Sequence, residues 1–377
     1  MPSKHSAGLG LEVIEHRESL LLAPYATHSS QSKGRKYQEF PQSYRGPFQR
    51  DRDRIIHTAA YRRLSHKTQV FTNQLGDYHR NRLTHTLEVC SIARTVARAL
   101  RLNEDLVEAM ALMHDIGHPP FGHSGEDTLR ECLKEQGGFS HNQHALRIVE
   151  ELESPYPEFS GLNLSYETLE GQRYRAEKQS MQVCPSLEAQ VVDAADSIAY
   201  DSHDADDALE LGLLDIDHLL EVPMWRAAAD RVENRTAVPS KILLRRAVIH
   251  ELIDWQVQDL LQASVDRMAQ SPHKDLQDAK ITDCIILQSV ELSKQKQELE
   301  GFLFNHVYQH PNVLAVRDHA QSALHEMFDK LVRHIEFLPE SYRRRAEESN
   351  VRRSVCDYLA GMTDRFAWRE HRMLCGP

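Results

Sequence analysis

The sequence predicts an all-α protein, and three observations carry that reading. Apolar residues recur at three- and four-residue spacing through most of the chain, strand-like alternation is missing from every long segment, and no fixed-period repeat is present. The 377 residues are 41% hydrophobic and 27% charged, a globular composition with ample length for a core. Length alone suggests two or three domains, but no linker divides the helical pattern. We therefore expect one helical body made of an N-terminal arm (1–47), a core bundle (48–235) and a C-terminal helical region (236–377) packed on it.

In the arm, two apolar patches precede the polar run THSSQSKGRKYQEFPQSYRGP, which reads as mobile until Pro47 closes it. FQRDRDRIIHTAAYRRL is helical, and its arginines Arg52, Arg54, Arg62 and Arg63 form either a solvated face or an inward phosphate contact. KTQVFTNQLGDYHRNR (67–82) suggests a small hairpin or an ordered loop. LTHTLEVCSIARTVARAL then gives a long helix from about Leu83 to Leu100, with His85 in its first turn. Asn103 is the expected N-cap of a helix from Glu104 to about Ile116, and 123–136 and HNQHALRIVEELE are helical again. Residues 153–185, with Pro155 and Pro157 close together and two glycines, read as an irregular excursion or lid that includes some short helices. LEAQVVDAADSIAYDSHDADDALELG is a helix on which Asp193, Asp196, Tyr200 and Asp204 share one face. The remainder, including KILLRRAVIHELIDWQVQDLLQASVDRM, is almost entirely helical pattern.

The densest chemistry lies in ALMHDIGHPPFGHSGE (111–126), where His114–Asp115, His118, His123 and Glu126 follow an apolar helix that Gly117, Pro119 and Pro120 end. A divalent cation needs about four nitrogen or oxygen ligands on rigid elements. The adjacent His114 and Asp115 supply two, and His85 with either Asp193 or Asp196 completes a set suited to Mg, Mn, Fe, Ni or Zn. Any one of these residues alone is more simply a structural residue; the combination H…HD…D on separate helices is far more specific. Phosphate-loop and dinucleotide fingerprints are absent, and His250–Glu251 meets Asp254 where a metalloprotease helix needs histidine.

Net charge is −11, from 45 basic and 56 acidic residues, which argues against bulk nucleic-acid binding. Six cysteines without a C-x-x-C pair suggest free thiols in a reducing compartment, and neither a signal peptide nor a membrane span is evident. The expected location is the cytoplasm.

The pattern H…HD…D resembles the HD superfamily of metal-dependent phosphohydrolases. FQRDRDRIIHTAAYRRLSHKTQVF, NRLTHTLEV, HDIGHPPFGHSGE, LEAQVVDAADSIAYDSHDADD and DYLAGMTDRFA resemble, more narrowly, the deoxyguanosinetriphosphate triphosphohydrolase-like proteins, in blocks from about 48 to 371. The resemblance implies an HD-domain bundle with additional C-terminal helices. It also implies metal ligation by His85, His114, Asp115 and Asp196, the last matching the first Asp of the group's A-D-x-I-x-Y block. His123 and Glu126 would be the catalytic pair. Arg82, His118 and His141 would contact phosphate, although His118 is by default a loop-capping histidine. Tyr200 and Asp204 would hold the deoxyribose and its 3′-hydroxyl.

These roles suit the release of inorganic triphosphate from a deoxynucleoside triphosphate, guanine-bearing or general. Cleaving at the α-phosphorus requires neutralising up to about four negative charges, which a metal and arginines supply. A histidine then activates water or protonates the 5′-oxygen. Alternatives are another HD-type nucleotidase or phosphodiesterase, or a nucleotide sensor with residual activity and weak single-strand binding. Related proteins are commonly homo-oligomers, which is the expectation for this chain.

Overall fold

The computed structural model describes residues 10–69, 80–178, 183–238, 240–270 and 284–376. Among them, helices α1 (Leu11–Leu21), α2 (Pro47–Ile56), α3 (Ala59–Arg63), α4 (Arg82–Ala99), α5 (Glu104–Met113), α6 (Gly122–Cys132), α7 (His141–Arg147), α8 (Tyr166–Glu177) and α9 (Leu187–Glu210) form the first half. The second half holds α10 (Ile216–Leu219), α11 (Pro223–Arg235), α12 (Lys241–Gln270), α13 (Val290–Leu303), α14 (Pro311–Arg333), α15 (Glu340–Glu348), α16 (Val351–Ala360) and α17 (Asp364–Cys375). The described residues contain no strand, only the isolated bridges Arg35–Ser165 and Thr68–Asn81. The fold is all-α, as the periodicity requires. The possible hairpin over Val70–Asp77 lies outside the described residues.

The expected caps start the helices that matter. The Asn103 side chain accepts from Leu106 N to begin α5, Asn81 accepts from Thr84 N to begin α4, and Ser186 accepts from Ala189 N to begin α9. Helices α4, α5 and α9 pack on one another through fully buried small residues, Ala93, Ala97, Ala109, Ala111, Ala195 and Ala199. Small side chains let the helix axes approach closely, and this places His85, the end of α5 and Asp196 around one point. A second core joins α11, α12 and α13 through Trp225, Leu252 and Leu299. A third joins α6 to α14 and α16 through Leu129, Leu324, Phe328 and Val355. Helix α6, which carries His123 and Glu126, is thus seated on C-terminal helices.

Three expectations need correction. First, residues 10–46 do not form a loose arm. Glu18 accepts from Ser29 N and Oγ at 2.7 and 2.6 Å, Glu188 accepts from Thr27 N and Oγ1 at 2.8 and 3.0 Å, and Arg35 pairs with buried Asp51. These bonds join distant parts of the chain, so local polarity gave no sign of them. Second, the excursion over 153–185, expected as an irregular stretch with some short helices, holds the 12-residue helix α8, capped by Ser165. Third, the cysteines are not all free: Cys184 and Cys284, 100 residues apart in sequence, form a disulfide, while Cys90, Cys132, Cys356 and Cys375 are free. That separation has no local signature, and the bond removes free thiols as an argument about compartment.

Asp51 is fully buried, and its Oδ2 accepts from Ser165 N at 2.9 Å and from Thr168 Oγ1 at 2.8 Å while its other oxygen meets Arg35. Asp51→Ala strands Arg35 without its carboxylate. It should lower the unfolding free energy by about 3–5 kcal/mol in urea titrations followed by circular dichroism; an unchanged midpoint would show that the arm is not anchored there.

Candidate active site

Helix α5 ends at Met113, and the next two residues turn inward. His114 Nδ1 donates to Ala111 O at 2.6 Å, which fixes the ring and leaves its Nε2 buried without a partner. His85, from α4, brings Nε2 to 3.1 Å from Asp196 Oδ1 on α9. His114 Nε2 lies 3.7 Å from Asp196 Oδ1 and 3.7 Å from Asp115 Oδ1. One ligating atom each from His85, His114 and Asp196 lies within 4.8 Å of the others. Bonds of about 2.0–2.2 Å from one ion to imidazole and carboxylate ligands need this spacing, and an orphaned imidazole nitrogen aimed into the cluster fits a cation. Asp196, not Asp193, is the α9 carboxylate in the group.

Asp115 stands at the edge of that cluster. Its Oδ2 accepts from Arg82 at 2.8 Å and its Oδ1 lies 2.8 Å from His118 Nδ1. Burial would raise its pKa, but the charges of His118, Arg82 and His114 outweigh that and hold the carboxyl well below its usual range. Arg82 and His118, expected as phosphate contacts, therefore also orient the Asp115 carboxylate.

The chain leaves the cluster through a turn with no slack. A Cβ on Gly117 would sit 2.0 Å from His141 O and 2.5 Å from Ala145 N, so only glycine lets α7 lie here. Phe121 takes a left-handed conformation (φ 64°) and donates its N–H to Asp364 Oδ1 at 3.0 Å. Asp364 Oδ2 accepts from Thr68 N at 2.9 Å, and the buried Lys67 ammonium donates to His118 O and Ala360 O. Burial, reinforced by Arg63, pushes the Lys67 pKa down to about 7. Asp364 and Lys67 were missed in the sequence because each acts through backbone groups far away in the chain.

Glu126 does not serve His123 alone. Its Oε2 is 3.6 Å from His123 Nδ1, whereas both its oxygens lie 3.0 Å from His141 Nδ1 and one accepts from His141 N at 3.0 Å. Burial would raise the Glu126 pKa, but hydrogen bonds from His123 and His141 hold it far below the ordinary range. His141 also stacks on His118 with ring centroids 3.8 Å apart. The ring of His123 is 60% exposed, against 17% for His141. The three-residue spacing pointed to His123; the partner from α7 is the closer one.

Helix α8 contributes two cations that the sequence reading did not foresee. Arg175 reaches Asp196 Oδ2 at 2.6 Å and Asp193 Oδ1 at 2.8 Å, and Lys178 reaches Asp193 Oδ2 at 2.7 Å. Their three-residue spacing was the available signal. By contrast, Arg52 and Arg54 are bound to Asp53 and Glu39, so these two arginines of α2 serve structure.

A cavity of about 410 Å³ is bordered by Gln69, Arg82, His85, Asp115, His118, His123, His141, Arg175, Lys178, Asp196 and Tyr200, among others. A second cavity of about 390 Å³ shares Gln69, His123 and Tyr200 with it, and Phe121, Leu211, Leu213, Phe304, Tyr308 and Val313 make it largely apolar. The Gln69 Oε1 is buried and unpartnered beside both. Asp204 is buried and accepts a hydrogen bond from the Tyr308 hydroxyl, so it stands behind that ring.

Comparisons with known proteins give the family. A model of the HD domain matches residues 82–201, the segment holding His85, His114, Asp115 and Asp196, and a model of the phosphohydrolase-associated domain matches 286–373. A deoxyguanosinetriphosphate triphosphohydrolase-like protein of Geobacter metallireducens is 42% identical over 369 residues, covering 94% of this chain and 95% of its own. Proteins of the same description from Leptospira interrogans (40% over 370 residues, 95% and 97% covered) and Thiobacillus denitrificans (42% over 369 residues, 93% and 96% covered) are equally similar. A crystal structure of a hypothetical protein from Aquifex aeolicus aligns at 16% identity with a TM-score of 0.32, over 77% of this chain and 79% of that one, a likeness too loose to inform the site. Among the described residues no helix is long and apolar enough to cross a membrane.

Burial pushes the Asp204 pKa up from 3.8 to about 7, against the Tyr308 hydrogen bond that lowers it. Between those values the native state holds a proton that the unfolded chain has released, so this group makes stability fall as pH rises from about 4 to 7. Asp204→Asn should flatten that part of the stability–pH curve in thermal melts; a slope identical to the parent would show that Asp204 ionises normally.

Proposed function

Because the chain belongs to the deoxyguanosinetriphosphate triphosphohydrolase-like proteins and carries an HD phosphohydrolase domain, we propose that it hydrolyses deoxynucleoside triphosphates to deoxynucleoside and inorganic triphosphate. The observation that carries this reading is the junction of the two cavities. A polar chamber rich in arginine, lysine and histidine shares Tyr200 and His123 with a largely apolar one. A triphosphate suits the first and a nucleoside the second, which puts the α-phosphorus at their border.

His85, His114, Asp115 and Asp196 would hold a divalent ion, which when bound supplies Lewis-acid polarisation of the phosphate. The cations Arg82, Arg175 and Lys178 neutralise the triphosphate, and His118, its Nδ1 directed at Asp115, lines the chamber beside them. Water adds to the α-phosphorus, the bond to the 5′-oxygen breaks, and the departing oxygen takes a proton. The histidines His123 and His141 flank Glu126, and this group handles the proton traffic. Exposed His123 is the member at the border of both cavities. The Tyr200 ring packs against C2′ and leaves no room for a 2′-hydroxyl. Tyr308, its hydroxyl held by Asp204, meets the sugar 3′-hydroxyl.

Purified protein incubated with each deoxynucleoside triphosphate and Mn or Mg should yield deoxynucleoside and triphosphate by ion-exchange chromatography. Pyrophosphate or monophosphate as the product would overturn the reading in favour of another HD-type nucleotidase. His114→Ala should lose the bound metal, whereas His123→Ala should keep it and lower kcat by about 10²–10⁴-fold. Tyr200→Ala should narrow the preference for deoxyribose over ribose.

A further inference from the structure

Away from the active site, α17 carries His371 and Cys375 one helical turn apart on the same side. Helix α14 packs alongside, with His319 stacked on Trp368 at 4.7 Å, and presents Glu326 to that side. His371 Nε2 lies 2.7 Å from Glu326 Oε2, and one ligating atom each from Glu326, His371 and Cys375 falls within 4.8 Å of the others. We propose that Glu326, His371 and Cys375 form a second cation site, for a borderline-soft divalent ion such as zinc, bridging α14 and α17.

The donor set is what a thiophilic ion requires. Imidazole, thiolate and carboxylate bind zinc at about 2.0–2.3 Å, and three protein ligands leave a fourth position for solvent. An i, i+4 pair on one helix spans the distance between two ligands of a single ion, and the third ligand comes from another helix, so the ion would act as a staple. Among the free cysteines Cys375 alone is exposed; Cys90, Cys132 and Cys356 are buried. Burial and the Glu326 carboxylate push the Cys375 thiol up, against Lys330, so the free site holds a neutral thiol. Ion binding displaces that proton to solvent and leaves the thiolate as ligand. The site differs from the candidate catalytic centre in one decisive respect: His85, His114, Asp115 and Asp196 offer only nitrogen and oxygen. The staple also stands on the helix whose first residue, Asp364, clasps Thr68 and Phe121.

The test adds cobalt(II) to full-length, metal-stripped protein at neutral pH and reads the near-ultraviolet sulfur-to-cobalt charge-transfer band together with bound metal per chain. The expected result is a thiolate band and one more bound equivalent than in Cys375→Ser. His371→Ala should lose both the band and that equivalent. Cys375 is exposed, so the serine variant should fold and retain the parent's phosphohydrolase activity, and a circular-dichroism melt checks the fold independently. A band that persists in Cys375→Ser, or a parent protein with no band and no additional equivalent, overturns the proposal. A failure of the triphosphohydrolase reading leaves this spectroscopic result unaffected, because no thiol borders the catalytic cavity.

Discussion

Gly117 lies so close to α7 that a single added carbon would meet the His141 carbonyl at 2.0 Å, and much of the site depends on that contact. It lets the N-terminus of α7 lie directly against the end of α5. His141 can then stack on His118 and share Glu126 with His123. The His85–His114–Asp196 cluster and the Glu126 carboxylate with its two imidazoles are thereby pressed close together. A larger residue at 117 would push them apart, and packed interiors accommodate such displacement poorly.

The same turn explains the role of the C-terminal helices. Asp364 receives N–H groups from both Thr68 and Phe121, and Lys67 bridges His118 O to Ala360 O. The polypeptide between the His114–Asp115 pair and His123 is therefore held by the buried charged groups Asp364 and Lys67. Phe121 can keep a left-handed backbone because these bonds over-determine it. Helix α6 completes the arrangement by packing Leu129 against the core shared with Leu324 and Phe328. The phosphohydrolase-associated region is, in physical terms, the wall against which the turn between α5 and α6 is braced.

Local periodicity and capping made much of this legible. Asn103, the apolar faces of α4 and α5, and the shared face of Asp193, Asp196, Tyr200 and Asp204 follow from spacing alone, because a helix imposes it. The H…HD…D pattern was readable for the same reason. Contacts that depend on distant partners stayed hidden in the sequence. Helix α8 lies just after Pro155 and Pro157 in an irregular-looking segment, and its Arg175 matters only because it meets Asp196 from another helix. Glu126 was assigned to its neighbour in sequence, while its shorter contacts go to His141, fifteen residues away. The anchoring of residues 10–46 and the Cys184–Cys284 bond are likewise contacts without local pattern.

One backbone detail makes the aromatic chamber sensitive to chain register. Residues Phe304–Tyr308, between α13 and α14, form a π-helical turn, which accommodates one residue more than an α-helical turn would. Both Phe304 and Tyr308 line the apolar cavity, and Tyr308 also binds Asp204. Removing one residue here would let the segment relax into ordinary α-helix and rotate the downstream chain by about 100°. Tyr308 would leave the wall, and the helix would gain regularity while the chamber lost its shape. The extra residue thus acts as a spacer, and insertions or deletions in this short stretch should be far less tolerated than substitutions.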